Sequence, residues 1–285
     1  MSIKEETLLL QTVYKDIDQR ITQKTPRPSE ADALNMFRTE LEPHVFSILN
    51  RRYGMDFQRH WDSCMIPTDS NKTIVIIERR CHVNLRFCLQ NAAYYLRGWG
   101  ITVICSDSNN GYVNACIGSK AGSIKVIPCF KGIGASVEEG KAEYNTLLQQ
   151  EQFWNLFAEE HLLMMETDSY FVKPLPDSIL KYDYVASKLP WAPLSPGTGG
   201  LSYRKRDMMK DICSLGLPVN KAQDCFVNEA IILLRNKYSY PTIEESMIYF
   251  GEFSTHKNMC GTHQWWTVFF STPVNIQEKW LTCDI

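Results

Sequence analysis

The sequence lacks the features that mark several common classes of protein. No apolar run approaches the roughly 18 residues that a membrane span needs, and the first residues lack the apolar core of a signal peptide. Its 30 lysines and arginines are balanced by 32 aspartates and glutamates, so no basic field is available for nucleic acid. We therefore expect a soluble protein with no transmembrane segment and no nucleic-acid partner, although peripheral association with a membrane stays open.

Paired cysteine motifs are also lacking. The ten cysteines are scattered without a C-x-x-C pair, and most lie in apolar contexts where a free cysteine behaves as a small core residue. This pattern does not indicate a zinc site or a disulfide framework, and it favours a reducing, cytoplasmic compartment. There is no internal repeat or low-complexity tract. What remains is a chain of 285 residues, 44% of them hydrophobic, which is enough for one large domain or two small ones.

The hydrophobic pattern changes twice along the chain. Residues 4–60 show helical spacing, interrupted at Pro26-Arg-Pro28, with Ser29 as an N-cap for the next helix. From residue 73 short β-branched runs alternate with helical patterns, which predicts a parallel sheet; after Pro174 the pattern is mixed. The predicted strands are 73–77, 101–105, 124–127, one from residue 161 into the acidic residues that follow it, and 182–186; the predicted helices beyond residue 73 are 85–96, 137–149, 151–158, 205–214 and 223–235.

An acidic pair follows one buried strand pattern. The run from His161 to Met165 leads into Glu166 and Asp168, and alternate residues of an extended segment point the same way. The carboxyl end of a strand is where open α/β sheets bind ligands. Two convergent oxygens there suit a hard divalent cation, and such a cation suits a diphosphate. On spacing alone, however, a strand that ends in a solvated acidic turn is the simpler interpretation.

Further short motifs accompany this pair in a definite order along the chain. They are Val75-Ile-Ile-Glu-Arg79 with His82-Val-Asn-Leu85, Gly98-Trp-Gly100, Tyr144-Asn145 with Phe153-Trp154, Glu166-Thr-Asp-Ser169, Tyr182-Asp-Tyr184, Gly199-Gly-Leu-Ser202 with Arg204, Asp224 with Phe226, and Gly261-Thr-His263 with Trp266. The ordered set resembles a small family of GT-A-type glycosyltransferases in which T-D-S stands in place of D-x-D. The resemblance covers about residues 73–268 and leaves out the helical first 70 residues.

The resemblance implies both a fold and an activity. The fold is α/β, a GT-A-like and so Rossmann-like, mostly parallel sheet flanked by helices in residues 73–285, with residues 1–72 as a helical N-terminal extension. The activity is transfer of a sugar from a nucleoside-diphosphate donor, a UDP-sugar by preference, to a hydroxyl of a glycan acceptor. Inversion is the favoured outcome and retention the alternative. For the extension, homodimer formation, acceptor binding and core capping are all open.

The resemblance also implies a metal site. In GT-A enzymes the carboxylates after the central strand hold a divalent metal, usually Mn²⁺ and sometimes Mg²⁺, against the donor diphosphate. Asp168 matches the family's aspartate. Glu166 stands where the family more often has glutamine, so an additional ligand, a ribose partner and a surface acid are all open. His263 is expected to complete the metal shell or to contact the diphosphate, and the alternative is a structural histidine beside Trp265 and Trp266.

Asp224 is the candidate general base. Inverting transfer needs a carboxylate that takes the proton of the acceptor hydroxyl, and such enzymes commonly place it at the start of a helix. Asp224 opens an apolar helical pattern, but Gln223 stands where the family usually has glutamate. The alternative is an ordinary acidic residue that favours the helix dipole.

The remaining assignments concern the donor. An arginine at the end of the first strand can contact the donor phosphate or stack on its base. Only one of the two neighbouring arginines is expected to do so. The tyrosine and asparagine of the 144–145 motif are placed near uridine or ribose, although the tyrosine could equally be core. Two adjacent glycines permit the backbone to approach a ligand closely, and the alternative is a plain turn. The donor-binding residues are Glu78, Arg79, Arg80, Tyr144, Asn145, Thr167, Asp168, Gly199 and Gly200.

Two rival classes are distinguishable on chemical grounds. A glycoside hydrolase places its two carboxylates on opposite sides of the sugar, roughly 5 Å or more apart, whereas alternate residues at one strand end suit chelation better. A non-catalytic module that binds a nucleotide-sugar or a glycan stays open, because Glu166 and Gln223 depart from the family pattern.

Overall fold

A computed structural model gives the fold of residues 1–130, 137–189, 192, 195–219, 221–234, 237–253 and 256–285, without the side chains of residues 137, 138 and 270. The strands are β1 (Lys72–Ile77), β2 (Gly100–Ser106), β3 (Lys125–Phe130), β4 (His161–Met165), β5 (Ser169–Phe171), β6 (Tyr184–Ala186), β7 (Leu201–Lys205), β8 (Phe250–Gly251) and β9 (Gly261–His263). The α-helices are α1 (Ile3–Gln23), α2 (Glu30–Ser63), α3 (Leu85–Tyr95), α4 (Asn110–Ile117), α5 (Val137–Leu148), α6 (Glu151–Trp154), α7 (Arg206–Cys213), α8 (Gln223–Leu233), α9 (Ile243–Ser246) and α10 (Val274–Trp280).

The central sheet has six strands in the order β3-β2-β1-β4-β7-β6. The first four in this order are parallel to one another, β7 is antiparallel to β4, and β6 is antiparallel to β7. Helices cover both faces, which confirms the expected α/β fold with a mostly parallel sheet and is compatible with a Rossmann-like fold. Because β1 and β4 are parallel neighbours, their carboxyl ends lie side by side.

The two faces of the sheet build two hydrophobic cores. Alternate residues of a strand point to opposite faces. Accordingly Ile74 and Ile76 of β1 pack with α1, α2 and α3, whereas Val75 packs on the other face with residues of α7 and α8 such as Met209 and Phe226. Both cores are fully buried, so the sheet is a rigid support for the loops at its carboxyl edge.

The N-terminal helices share the first of these cores. Leu10 and Ile17 of α1 and Leu41 of α2 are fully buried in the same cluster as the β1 side chains. The buried Glu6 carboxylate accepts hydrogen bonds from Arg51 and Arg52, which ties α1 to α2. The division at residue 72 and a homodimer through these helices stay predictions, but the hydrophobic core is continuous across residue 72.

Several element boundaries match the sequence prediction, and some do not. The Ser29 hydroxyl accepts from the amide of Asp32, 3.1 Å, and α2 begins there as expected. The predicted helix 151–158 is wrong beyond Trp154, because the apolar pattern reflects Phe153, Trp154 and Phe157 packing ring against ring in a compact turn. Residue 235, the predicted end of the last helix, lies outside the described residues.

A small second sheet has the strand order β5-β9-β8, and its first strand begins four residues after β4 ends. Ser169 pairs with His263 in register, and Phe171 pairs with Gly261. This sheet joins the segment after β4 to a segment almost a hundred residues later. Of the helices in the described part of the chain, none is long and apolar enough to cross a membrane, and all ten cysteines are free thiols.

Candidate metal and ligand site

A cavity of about 910 Å³ lies at the carboxyl ends of β1 and β4. Its walls also include α2, α5, the start of α8, the loop before β7 and the end of β9. The structure brings every residue assigned to the site from the sequence into the lining of this one cavity. They are Glu78, Arg79, Arg80, Tyr144, Asn145, Glu166, Thr167, Asp168, Gly199, Gly200, Asp224 and His263.

Three of these residues converge at the cavity floor. Asp168 Oδ1 lies 3.1 Å from His263 Nε2, and Glu166 Oε2 lies 3.6 Å from the same nitrogen. One donor atom from each residue lies within 4.8 Å of the others. Two carboxylates and one imidazole are thus close enough to share one cation.

The convergence arises differently from the sequence prediction. The extended chain predicted through Asp168 is wrong, because β4 ends at Met165 and Glu166–Asp168 form a turn in which the Ser169 amide donates to the Glu166 carbonyl, 3.0 Å. The pairing of Ser169 with His263 then carries the imidazole to the turn. The turn and the small sheet, rather than strand alternation, bring the three side chains together.

The hydrogen bonding of this cluster is incomplete. Both ring nitrogens of His263 and Asp168 Oδ1 are buried, and among the described residues none is in hydrogen-bond geometry with them despite the short separations. Buried polar atoms without a partner are costly and uncommon. An imidazole nitrogen with carboxylate oxygens is a donor set that Mn²⁺ accepts. The residues present therefore fit a divalent metal.

Electrostatics couple Asp168 and His263. Burial disfavours charge on both side chains, but neighbouring groups outweigh it. The carboxylates of Glu252 and Asp168 hold the pKa of His263 well above its usual value. The His263 charge, with a hydrogen bond from the Gln264 amide, lowers the pKa of Asp168 to about 2. Asp168 is therefore ionised at neutral pH, as a metal ligand has to be, whereas the His263 imidazole would have to release its proton to bind a metal.

Glu166 faces the cavity. Its Oε1 accepts a hydrogen bond from the Tyr144 hydroxyl, 2.9 Å, while its Oε2 points toward His263. Burial, with the nearby Glu166 charge, raises the pKa of Tyr144 well above its usual value, so the phenol stays a hydrogen-bond donor. The side chain, 33% exposed, thus lies in the cavity beside Tyr144 and His263, and its role as an additional ligand, a ribose partner or a surface acid stays a prediction.

Glu252 was not singled out from the sequence. It follows β8, is buried, and its Oε1 lies 3.2 Å from His263 Nδ1, on the side of the ring away from Asp168. A carboxylate in that position orients a ligating histidine and raises its basicity. No sequence signal could have found it, because an isolated glutamate between irregular segments has no pattern.

At the end of β1 the side chains are bonded to one another. Arg80 donates two hydrogen bonds to the buried Glu78 carboxylate, both 2.9 Å, and Thr167 donates a third, 2.7 Å. Burial raises the pKa of Glu78, but Arg80 and Thr167 outweigh it and the net pKa is lowered. Arg79 instead lies against the backbone of Gly140. Glu78 is therefore engaged within the protein, and Arg79 is the freer of the two arginines.

The two glycines make room for protein side chains. A Cβ on Gly200 would lie 2.3 Å from His263 Cε1, and one on Gly199 would lie 1.6 Å from Gln223 Nε2. The close approach predicted for a ligand is thus made by His263 and Gln223. Beneath this loop the fully buried Arg204 donates to the Gly199 carbonyl, 3.2 Å, which fixes the loop from below.

Asp224 lies in the first turn of α8, half-buried at the cavity wall. The helix is capped by a residue assigned from the sequence to donor binding: Asn145 Oδ1 accepts from the Gln223 amide, 2.9 Å. Asn145 therefore holds the helix end that carries Asp224, in addition to lining the cavity.

Comparison with known proteins adds a limited finding. Residues 131–265 match the model of a family described as a protein of unknown function (DUF5672). The matched segment is just under half of the chain; it contains Glu166, Asp168, Asp224 and His263 but neither β1 nor α2. A search of curated proteins finds no match to the chain.

Proposed function

We propose that the protein is a GT-A-type, metal-dependent glycosyltransferase that moves a sugar from a UDP-sugar to a hydroxyl of a glycan acceptor. The observation that carries the proposal is the convergence of Asp168, His263 and Glu166 at the carboxyl edge of the sheet. The three side chains line a cavity of about 910 Å³, which is large enough for a nucleotide-sugar.

The metal would be held by Asp168, His263 and Glu166, with Mn²⁺ favoured and Mg²⁺ as the alternative. When bound, it supplies a Lewis acid that neutralises charge on the departing diphosphate. Glu252 orients the imidazole from behind, and Tyr144 holds one oxygen of Glu166 so that the other faces the metal position.

The other cavity residues would bind the donor and take the proton. Arg79 is better placed than Arg80 to meet phosphate, because Arg80 is already paired with Glu78. In an inverting reaction, Asp224 accepts the proton of the acceptor hydroxyl while the acceptor oxygen attacks the anomeric carbon, and the bond from that carbon to the diphosphate oxygen breaks so that UDP leaves. Thr167, Gly199, Gly200 and Asn145 complete the donor side of the cavity.

Calorimetry with UDP, with and without Mn²⁺, tests this proposal. Wild type should bind UDP more tightly with the metal present, and Asp168→Ala should lose that dependence, by about 100-fold or more in affinity, since a ligand and not merely its outer partner is removed. Asp224→Ala should keep metal-dependent binding but lose turnover by about 10²–10⁴-fold, the usual contribution of a general base.

Asp207→Ala is the matched control, since this exposed carboxylate on α7 pairs only with its neighbour Arg206 among the described residues. It should bind UDP as wild type does. UDP binding that ignores Mn²⁺, or no UDP binding, would contradict the proposed metal role. Metal-dependent binding without turnover on any nucleotide-sugar would favour a non-catalytic module, and retained anomeric configuration in the product would favour the retaining alternative.

A further inference from the structure

Helix α2 places an arginine in the cavity that the sequence motifs do not include. Arg38 lies in the third turn of α2, half-buried, and lines the same cavity as Asp168 and His263. It lies outside both the glycosyltransferase-like motifs and the matched family segment. The presence of this positive charge in the cavity has to be explained chemically.

The backbone of Arg38 is fixed relative to the metal cluster. The indole of Trp266 donates to the Arg38 carbonyl, 3.0 Å, and Trp266 follows His263 by three residues. Trp266 is fully buried and packs edge-on against Phe46 of α2, with ring centroids 6.0 Å apart. These contacts hold the helix against the histidine segment, so the backbone at Arg38 has a defined place beside the cavity.

The charge of Arg38 has no ionic partner among the side chains that the structure describes. Its guanidinium donates a hydrogen bond to the amide oxygen of Asn35, which is neutral. Arg80, by contrast, is paired with the carboxylate of Glu78. Arg38 lines the same cavity as Asp168 and His263, so its charge lies in the cavity that holds the candidate metal cluster. A guanidinium with unused donors beside a cation site is suited to an oxyanion bound there.

We propose that Arg38 binds a phosphate oxygen of the donor diphosphate, which makes α2 a wall of the substrate site. This inference rests on the proposed function, because it names the group that faces the metal from the α2 side. An anionic acceptor is a second source of the same oxyanion, and binding and transfer measurements on Arg38 variants separate the two.

The test compares Arg38→Ala and Arg38→Lys with Arg59→Ala. Arg59 lies on the same helix, its side chain is 74% exposed, and it is remote from the cavity lining. Binding of UDP, UMP and inorganic pyrophosphate is measured by calorimetry with Mn²⁺ present, and circular dichroism verifies that each variant is folded. Pyrophosphate reports oxyanion binding even if uridine is the wrong nucleoside.

Arg38→Ala should weaken UDP and pyrophosphate binding about 10- to 100-fold, the range for loss of a charge-assisted hydrogen bond, and UMP binding much less. Arg38→Lys should fall between, since it keeps the charge but not the planar fork. Arg59→Ala should equal wild type.

Three results would overturn the inference. If Arg38→Ala binds UDP and pyrophosphate as Arg59→Ala does, Arg38 does not contact the diphosphate, while the proposed function stands. If it keeps donor binding and loses only transfer to an anionic acceptor, the oxyanion belongs to the acceptor. If wild type binds neither UDP nor pyrophosphate, the oxyanion site does not exist.

If wild type binds pyrophosphate but not UDP, and Arg38→Ala loses the pyrophosphate binding, the role of Arg38 is supported and only the UDP donor is contradicted.

Discussion

At the scale of single residues, His263 occupies the space that a side chain at position 200 would fill. The backbone of Gly200 cannot easily shift, because its carbonyl accepts a hydrogen bond of 3.0 Å from the amide of Glu166, beside the acidic turn. A methyl group at 200 therefore has to displace the imidazole, and with it one donor of the cluster.

Gly200→Ala should accordingly weaken Mn²⁺-dependent UDP binding by about tenfold or more. The free energy of unfolding should fall by about 1–3 kcal/mol, the usual cost of overpacking. Calorimetry and urea unfolding measure the two effects. Gly111→Ala is the control: a Cβ there meets no atom within 4 Å, so binding should be unchanged and α4 slightly stabilised. Wild-type binding by Gly200→Ala would argue against His263 as a ligand.

The sequence reaches some site residues and misses others for a physical reason. Asp168 and His263 lie in short motifs, and Asp168 also follows a strand that the local pattern predicts. Glu252 and Arg38 are placed by tertiary contacts with His263 and Trp266, and no local pattern encodes those contacts. The capping of α8 by Asn145 likewise depends on a contact across 78 residues.

At the scale of elements, the long strands and helices follow from local periodicity, and the small sheet does not. β1 and β2 were predictable as short β-branched runs, and α2 because its apolar residues recur at helical spacing. β5, β8 and β9 have two or three residues, too few for a period of two to be recognised. Those short strands are nevertheless what bring His263 to Asp168.

The packing of α2 predicts a stability effect that distinguishes a shared core from an independent extension. Leu41→Ala should lower the free energy of unfolding of the whole chain by about 2–5 kcal/mol, because Leu41 is fully buried in the core that also contains Ile74. Thermal unfolding followed by circular dichroism should show one transition that moves as a whole.

Leu8→Ala provides the control on α1, since Leu8 is 62% exposed, and it should change stability by less than about 0.5 kcal/mol. A second, unmoved transition in Leu41→Ala would indicate that residues 1–72 fold separately from the sheet.

At the scale of the whole molecule, Asp183 fastens the edge strand β6 to a segment near residue 239. Its carboxylate accepts from the Ser239 amide, 2.7 Å, and hydroxyl, 2.8 Å, and pairs with Lys205, 3.0 Å. Burial raises the pKa of Asp183, but these bonds outweigh it and the net pKa is lowered. Because the folded pKa lies below the unfolded value, the carboxylate stabilises the fold above pH about 4 and loses that effect as pH falls through the folded pKa.

Asp183→Asn should therefore cost about 1–2 kcal/mol at pH 7, and the difference from wild type should shrink as the pH is lowered below about 4. Urea unfolding at a series of pH values measures it. Asp207→Asn, at an exposed carboxylate, should differ little from wild type throughout. A difference that grows on acidification would contradict a lowered pKa of Asp183 in the folded state.

The overall fold was predictable as α/β because strand–helix–strand order implies a parallel sheet. Continuity of the core across residue 72 was not, because the contacts between α2 and the sheet depend on three-dimensional packing that local periodicity does not describe. The same holds for the cavity, whose lining joins residues from one end of the chain to the other.

The small sheet has a consequence for biosynthesis. Asp168 precedes β9, the partner strand of β5, by almost a hundred residues. Arg38 is farther still from His263 along the chain. Chains grow from the N-terminus at about 5–20 residues per second, so a nascent chain carries the acidic turn for several seconds before the imidazole emerges. A chain halted before residue 263 therefore holds two of the three proposed metal ligands, so the proposed site is complete only after His263 has been added.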